Sequence, residues 1–380
     1  MLRFLHTADW HLGMPARFLA PEAAARFGAA RLEAVQRLGE VARERGCAFL
    51  LVCGDAFDSN LVGRRVVHQA TQALADLRLP TFLLPGNHDP LDPVTVYRRE
   101  EFVRSLPGNV RVLSEVGPVE AAPGVELIAA PWWSKRPTQD PLAAASTGLG
   151  PAPAGVRRIL VGHGAVDALL PEGATVPGAI RLAPLRAALA QRHFDYVALG
   201  DRHSATPLEP GRAIWYSGTP EATDFDAPGA GQGLVVELDG GPPRVEPVRV
   251  GRWRLLRHDL DVSGEDGPEQ LAGWLEALPG KGETVVRLAL RGTLGLEAHG
   301  RLEAVLERAA DLLAGLDRPE GEQRLAVLPA DFDFDRLGLG GFALAAVDRL
   351  RAQAQGDGPP AEAARDALAL VFRLGGGEGA

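Results

Sequence analysis

Cysteine is almost absent from this sequence of 380 residues, which holds only Cys47 and Cys53. Cys53 lies inside the apolar run of residues 49–53, so we expect two buried, reduced thiols and not a disulfide or a metal pair. No apolar run approaches the roughly 20 residues that span a bilayer, and residues 1–6 are too short and too soon polar for a secretory signal. We therefore expect a cytoplasmic protein without a membrane segment.

Lysine and net positive charge are also scarce. The formal charge is −9, and the only lysines are Lys135 and Lys281, which argues against a protein that coats nucleic acid by bulk electrostatics. A locally basic groove is still compatible with this composition. Its candidates are three arginine pairs and three aromatic residues, namely Arg64 and Arg65, Arg98 and Arg99, Arg157 and Arg158, with Tyr97, Trp132 and Trp133. A solvated surface with core tryptophans is the alternative explanation of the same residues.

The sequence does contain a series of polar side chains that follow short apolar runs. Residues 81–84 form one such run, and Pro85 and Gly86 stop it, as is typical of a buried strand that leads into a tight turn. Asn87, His88 and Asp89 then present an amide, an imidazole and a carboxylate. Four other predicted strands end in similar motifs, which are Asp9-x-His11, Gly54-Asp55, Gly162-His163 and Gly200-Asp201-x-His203.

Helical patterns alternate with these strands. Amphipathic helices are predicted at residues 29–45 and at about 63–77, so the rhythm of strand and helix predicts an α/β domain over residues 1–248. Beyond a glycine and proline cluster the pattern changes, and residues 249–360 predict a smaller α+β domain. Residues 361–380 are expected to form a C-terminal helix and a disordered tail.

Taken together, the five motifs resemble the calcineurin-like metallophosphoesterase family over about residues 1–240. The segment of residues 6–13, the motif Gly54-Asp55-x-Phe57-Asp58 and residues 216–220 look most like its DNA repair exonuclease, or SbcD-like, branch. This resemblance implies a four-layer αββα sandwich, with the smaller C-terminal α+β domain as a cap. It also implies two divalent metal ions. Imidazole, carboxylate and amide ligands favour Mn²⁺, Fe²⁺ or Zn²⁺ over Mg²⁺ or Ca²⁺, and we expect Mn²⁺.

The same resemblance assigns the metal ligands. The first ion would be held by Asp9, His11, Asp55 and His203, and the second by Asp55, Asn87, His163 and Asp201, with Asp55 as the bridge. The usual family motif at the last site is Gly-His-x-His, and here Asp201 replaces the first histidine. A carboxylate can still bind a metal, but it adds a negative charge and changes the metal preference of the site.

Further residues receive roles that differ from metal binding. The resemblance implies that His88 contacts the scissile phosphate and stabilises the transition state or protonates the leaving oxygen, with Asp89 orienting its imidazole. Three residues are candidate substrate contacts, namely Arg202, Tyr97 and Asp58. A plain surface role is an equal alternative for Arg202, and we expect His6 to be a structural hydrogen-bonding residue beneath the site.

Three hypotheses for the function follow. The first is a dinuclear-metal phosphodiesterase that acts as a DNA exonuclease or endonuclease in DNA repair. The acidic balance and Asp201 motivate the second, a phosphoesterase for a small nucleotide or another phosphoester. Asp201 also motivates the third, a catalytically weakened scaffold that binds DNA or an ATPase. The expected partners are DNA, an SbcC-like SMC-type ATPase and a second copy of the chain in a homodimer.

Overall fold

A computed structural model of the chain describes residues 1–208, 213–225, 227–264, 266–328, 339–356 and 358–374. The chain divides into two compact units, Met1–Trp253 and Arg254–Ala380, and this division falls within five residues of the predicted boundary at 248. The predicted disordered tail at residues 375–380 lies outside the described residues.

The larger unit contains, among the described residues, twelve strands and five α-helices. They are β1 (Leu2–Thr7), α1 (Pro21–Glu44), β2 (Leu50–Cys53), α2 (Arg64–Asp76), β3 (Thr81–Leu84), α3 (Glu100–Ser105), β4 (Val110–Val112), β5 (Gly117–Ala122), β6 (Val125–Ala129), α4 (Pro141–Ser146), β7 (Arg157–His163), α5 (Leu182–Ala190), β8 (Tyr196–Gly200), β9 (Thr206–Pro207), β10 (Ile214–Tyr216), β11 (Gln232–Leu238) and β12 (Arg244–Arg249).

The first helix begins eight residues before its predicted start at residue 29. Pro21 occupies the first turn, where its missing N–H and fixed φ cost nothing. Gly28 interrupts the sequence pattern but does not interrupt the helix. The helix ends at Glu44, and Gly46 follows with a φ of 62°, as expected for a glycine just beyond a helix end.

The first sheet has the strand order β12-β11-β1-β2-β3-β4. Strands β1 to β4 run parallel, and β11 pairs antiparallel with both β1 and β12. Every residue of β2 and β3 is buried, which explains their uninterrupted apolar sequences, because parallel strands in the middle of such a domain are covered on both faces. The parallel direction brings the carboxyl ends of β1, β2 and β3 to one edge.

The second sheet has the order β5-β6-β7-β8-β10-β9. Strands β6, β7, β8 and β10 run parallel, whereas the edge strands β5 and β9 are antiparallel to their neighbours. The carboxyl ends of β7 and β8 therefore lie side by side, with His163 opposite Gly200 in the register.

Three hydrophobic clusters show how the layers are stacked. Side chains such as Phe49 and Ile159 form one core between the two sheets. A second core packs α1 and α2 on the outer face of the first sheet, around residues such as Leu38. A third packs α4 and α5 on the outer face of the second sheet, around Leu142 and Leu185. This arrangement is the αββα sandwich, and it confirms the predicted fold class of the larger unit.

The smaller unit contains, within its described residues, four strands and four α-helices. They are β13 (Arg254–Asp261), α6 (Gly267–Ala277), β14 (Thr284–Gly295), α7 (Leu296–Leu312), β15 (Gly315–Asp317), β16 (Arg324–Leu328), α8 (Phe342–Ala354) and α9 (Pro359–Leu374). Strands β13, β15 and β16 all pair with β14 in parallel. The prediction of an α+β class for this unit is therefore wrong, and its described residues form an α/β arrangement, because α6 and α7 act as crossovers between strands of one direction.

Two predictions about the whole chain can be compared with the structure. Cys47 and Cys53 are both buried and free, which confirms the expectation of reduced thiols. In the part of the chain that the structure describes, no helix is both long and apolar enough to cross a membrane.

Candidate metal centre

The predicted donor residues meet where the strand ends of the larger unit converge. Two backbone hydrogen bonds join the loop after β1 to the loop after β2, from Asp9 N to Gly54 O and from His11 N to Asp55 O, each 3.0 Å long. The N–H of Asp201, which follows β8, donates to the Asp9 carboxylate at 3.0 Å. The site is therefore assembled from both sheets and held by the main chain.

The backbone is strained at the same residues. Six non-glycine residues among those described have a positive φ, and four of them are predicted metal ligands, namely Asp9 at 54°, His11 at 45°, Asp55 at 54° and Asp201 at 102°. Such conformations cost of order 1–3 kcal/mol each and persist at functional sites. The fold thus accepts a cost in stability to point these side chains at a common centre.

Three glycines allow these close approaches. A Cβ atom on Gly54 would lie 2.0 Å from His163 Nδ1, and one on Gly86 would lie 2.2 Å from Asp55 Oδ1. A Cβ atom on Gly200 would lie 1.9 Å from the carbonyl oxygen of Cys53. The glycines of the sequence motifs are therefore required by space, because no side chain fits at these strand ends.

Asp9, His11 and His203 form the first group of donors, with ligand atoms within 4.8 Å of one another. The Nε2 atoms of His11 and His203 are 3.2 Å apart. On its other side, Nδ1 of His203 lies 2.9 Å from a carboxylate oxygen of Asp224. A carboxylate accepts, so we assign the proton to Nδ1, which leaves the Nε2 lone pair directed at His11. A cation between the two imidazoles satisfies this geometry.

Asp9, Asp55 and His163 form the second group. His163 donates from Nδ1 to the carbonyl oxygen of Cys53 at 2.8 Å, so its Nε2 lone pair points into the site. This atom faces three oxygens, which are Asn87 Oδ1 at 2.6 Å, Asp55 Oδ2 at 3.4 Å and Asp201 Oδ1 at 3.7 Å. A proton on Nε2 or a bound divalent cation would satisfy these facing atoms, and neutral His163 with its Nε2 free is the form that binds a metal.

The pKa shifts describe the same need for positive charge. Burial raises the pKa of Asp9 to about 7, and the nearby Asp55 adds to this shift. Burial opposes the charged form of His163, but Asp55, Asp9 and Asp201 outweigh it and raise the pKa of His163 well above its usual value. Burial likewise opposes ionisation of Asp55, yet His163 lowers the pKa of Asp55 to about 2. The donors therefore fit divalent cations of the kind that accept nitrogen and oxygen ligands.

The distribution of donors differs in one respect from the predicted assignment. Asp9 is common to these two groups, whereas Asp55 belongs to the second, and a third three-donor group joins His11, Asp58 and His88. Asp55 accepts from the N–H of His88 through Oδ1 at 2.8 Å, and its other oxygen faces His163. The bridging role of Asp55 and the coordination by Asp201 stay predictions.

The predicted role of Asp89 in orienting His88 is wrong. The buried Asp89 carboxylate instead accepts from Gly86 N at 2.8 Å and Phe57 N at 3.0 Å. It therefore fixes the turn that carries Asn87 and His88. The partner of the His88 imidazole is the carbonyl oxygen of Asp58, at 2.8 Å from Nδ1.

The predicted substrate contact by Tyr97 is also wrong. Tyr97 is buried, and its hydroxyl donates to Asp89 at 2.6 Å. Burial and the Asp89 carboxylate both raise the pKa of Tyr97 well above its usual value, so the hydroxyl stays a donor. Tyr97 therefore supports the turn from below, and its ring is not offered to a ligand.

The other two candidate substrate contacts lie at the site. The Asp58 carboxylate is 3.4 Å from Nδ1 of His11, so it contacts a predicted metal ligand. Arg202 is exposed and donates to Thr206 at 2.9 Å. Arg202 lines a cavity of about 390 Å³ together with Asp201, His203 and Tyr216. The substrate contact by Arg202 stays a prediction, and the cavity beside His203 is consistent with it.

Most of the arginines proposed for a nucleic-acid groove have carboxylate partners. Arg64 and Arg99 both pair with Glu101, at 2.7 and 3.5 Å. Arg157 pairs with Asp195 at 3.2 Å, and Arg158 pairs with Glu126 at 2.6 Å. These pairs favour the alternative explanation of a solvated surface. Trp132 is buried, whereas Trp133 is exposed.

Two groups that surround the site escaped the sequence analysis. Asp224 and Thr223, whose hydroxyl lies 2.7 Å from His203 Nδ1, follow the last motif at no characteristic spacing. The carbonyl oxygens of Cys53 and Asp58 also orient imidazoles, and a sequence motif does not display a main-chain acceptor. By contrast, the predicted structural role of His6 is confirmed, because its ring contacts Tyr196 and Leu199 at 3.2 Å.

The αββα sandwich and the converging donors define a metal-dependent phosphoesterase site. The family model for the calcineurin-like phosphoesterases matches residues 2–203, which span all five strand ends. The chain belongs to this family, as the sequence motifs predict.

The chain also resembles individual proteins. The chain is 29% identical to the SbcD component of the nuclease SbcCD from Rhodobacter capsulatus, and the alignment covers 87% of this chain and 91% of that protein. Among solved structures, a protein of Thermus thermophilus matches with 13% identity and a TM-score of 0.39, over 66% of this chain and 99% of that one. A dimetal phosphatase of Danio rerio matches with 10% identity and a TM-score of 0.38, over 66% and 99%.

Proposed function

We propose that this protein is a dinuclear-metal phosphodiesterase that cleaves DNA, most simply as an Mn²⁺-dependent nuclease in DNA repair. The observation that carries the proposal is the pair of donor groups around Asp9, in which imidazole nitrogens face each other and face carboxylate and amide oxygens. When bound, two divalent cations would activate a water molecule and neutralise charge on the phosphate. The likeness to a component of a nuclease supports DNA as the substrate.

Seven residues of the chain would hold the two cations. Asp9, His11 and His203 would hold one cation, and Asp55 and His163 would hold the other with Asn87 and Asp201. Each histidine ligand whose second nitrogen is hydrogen-bonded has a fixed orientation, as His203 has through Asp224 and His163 through Cys53. Such support raises metal affinity and keeps Nε2 aimed at the centre.

His88 is the proposed acid. Its ring lies 4.7 Å from that of His11, edge to face, so it borders the first donor group. The carbonyl oxygen of Asp58 accepts from Nδ1 and thereby directs Nε2 of His88 away from the main chain. A protonated imidazole donates from both nitrogens, so His88 can donate to a phosphate oxygen while Asp58 holds it. General acid catalysis of this kind contributes about 10²- to 10⁴-fold.

Three partners belong to the proposal. The nuclease relative is named as a component of SbcCD, so we propose an SbcC-like SMC-type ATPase as a partner, with DNA as the shared substrate. A homodimer is the further expectation that the resemblance carries.

The test compares hydrolysis of DNA and of bis(p-nitrophenyl) phosphate by purified protein with Mn²⁺. We expect His88→Ala to lose at least about 100-fold in rate, and Asp55→Ala to lose activity and Mn²⁺ binding. His68→Ala is the matched control, because His68 is an exposed histidine on α2. Full activity of His88→Ala would refute the role of His88. Turnover of the small ester without any cleavage of DNA would favour the small-phosphoester hypothesis.

A further inference from the structure

Trp133 is an exposed tryptophan in a chain that buries most of its others. Half of its surface is exposed, whereas Trp10, Trp132, Trp215 and Trp253 are all less than 10% exposed. Transferring an indole ring out of water gains free energy in proportion to its apolar area, so a tryptophan left in solvent is available to a ligand.

The main chain places Trp133 beside the donor groups. The preceding residue, Trp132, donates from its N–H to Pro85 O at 3.2 Å and accepts from Leu91 N at 2.8 Å. The indole N–H of Trp132 donates to the carbonyl oxygen of His163 at 2.7 Å. Trp132 is thus tied both to the loop that carries Asn87 and His88 and to the end of β7. Trp133 is the next residue, so its Cα atom lies about 3.8 Å from that of Trp132.

The segment after Trp133 is exposed and contains two basic residues. Ser134, Lys135 and Arg136 are all exposed, and Lys135 is one of the two lysines in the chain. Among the described residues neither Lys135 nor Arg136 has an ion-pair partner, in contrast to Arg64 or Arg157. Lys135 and Arg136 follow Trp133 by two and three residues, and exposed cations without such partners are available to bind a phosphate.

We propose that Trp133, Lys135 and Arg136 form a binding site for an unpaired nucleotide of single-stranded DNA. The indole face would stack on a base, and the two cations would contact the adjoining phosphates, which is the combination that single-strand binding surfaces use. A base inside a duplex has both faces covered by its neighbours, so this site favours frayed or single-stranded ends. The inference rests on the proposed function, because it names the form of DNA that reaches the donor groups.

The first experiment measures binding separately from cleavage. A short fluorescently labelled single strand is titrated in EDTA, and affinity is read from its anisotropy. Removing a stacking ring costs about 1–3 kcal/mol per base, so Trp133→Ala should weaken binding about 5- to 150-fold. Trp133→Phe keeps a ring and should retain most of the affinity. Val103→Ala removes another exposed apolar side chain of the larger unit and should change nothing.

Two further measurements separate stacking from simple contact. Oligonucleotide binding should quench tryptophan fluorescence in the wild type, and this quenching should be largely lost in Trp133→Phe although the strand still binds. Lys135→Ala and Arg136→Ala should each weaken binding. Each should also reduce the slope of log affinity against log salt concentration by the amount that about one phosphate contact contributes. The loss of affinity in Trp133→Ala should be smaller for a blunt duplex than for a single strand.

The outcomes distinguish this inference from the proposed function. Equal single-strand affinity in Trp133→Ala and wild type would overturn the inference, as would equal losses for the single strand and the blunt duplex. Turnover of DNA and of bis(p-nitrophenyl) phosphate by the wild type with Mn²⁺ tests the proposed function separately, because it does not depend on any Trp133 variant. If the wild type hydrolyses neither substrate, the proposed function fails whatever Trp133 binds.

Discussion

The two compact units share a plan of parallel strands and crossover helices, but their strand ends differ. In the larger unit, the residues beyond β1, β2 and β8 are buried or half-buried carboxylates and imidazoles with strained backbones. In the smaller unit, the charges at and near the ends of β13 and β14 are exposed and paired, as Asp261 is with Arg291 at 3.5 Å. Among the described residues, every three-donor group belongs to the larger unit.

This contrast shows that parallel strand ends alone do not create a metal centre. Exposed pairs such as Asp261 and Arg291 neutralise each other and are worth about 0–1 kcal/mol. The carboxylates of Asp9 and Asp55 lie instead in low dielectric, with no lysine or arginine paired to them among the described residues. Burying a charge without such a partner is costly. The fold therefore leaves buried carboxylates whose negative charge a bound cation can neutralise.

The largest effect is expected where the fold brings main chain and donors closest. Gly200→Ala would place a Cβ atom 1.9 Å from Cys53 O and 2.8 Å from His163 Nδ1, and neither neighbour can retreat without moving a strand. We expect a loss of about 1–3 kcal/mol or more in the free energy of unfolding, together with loss of phosphoesterase activity. Urea unfolding and turnover of a small phosphodiester measure both.

The matched control lies in the smaller unit. A Cβ atom on Gly273, within α6, meets nothing within 4 Å, and alanine is the better helix former. Gly273→Ala should therefore raise stability by up to about 1 kcal/mol and leave activity unchanged. If Gly200→Ala is as stable as the wild type, then Gly200 is not sterically more restricted than Gly273, and this difference between the two units is contradicted.

An intermediate effect is expected at the carboxylate behind His203. Asp224→Asn removes the charge that accepts from His203 Nδ1, so the imidazole should lose basicity and its fixed orientation. Loss of such a partner typically weakens metal affinity about 10- to 100-fold, which titration calorimetry with Mn²⁺ measures. Asp317→Asn is the control, because Asp317 pairs with Arg287 in the smaller unit. Unchanged Mn²⁺ affinity in Asp224→Asn would show that His203 needs no such support.

Much of the larger unit was predictable from sequence for a physical reason. Buried parallel strands require uninterrupted apolar runs, and glycines mark the places where side chains cannot fit. The motif at Gly86 and Asn87 therefore predicts both the strand end and the donor, and the fold class is confirmed. The start of α1 was missed because Gly28 breaks the apolar pattern without breaking the helix.

The roles that sequence reasoning misassigned depend on orientation. Asp89 adjoins His88 in the chain, yet the turn directs its carboxylate to Gly86, Phe57 and Tyr97. Proximity in sequence gave no information on that direction. Asp224 was missed for the converse reason, because it lies twenty-one residues from His203 and only the tertiary fold brings the two together.

The smallest effect on stability is expected at His258, in the smaller unit. The His258 ring stacks on Trp274, with centroids 3.9 Å apart and planes 4° from parallel. Burial lowers the pKa of His258, and the nearby Asp259 opposes this only partly. The unfolded chain therefore takes up the proton first, near the ordinary pKa of about 6.5. The stability that neutral His258 contributes is complete above that pH and declines as the pH falls toward its folded pKa.

Between about pH 7.5 and pH 5.5 the wild type should lose slightly more thermal stability than His258→Gln, whose side chain does not titrate. An identical pH dependence in the two proteins would mean that the stacked ring is solvated well enough to protonate freely in the fold.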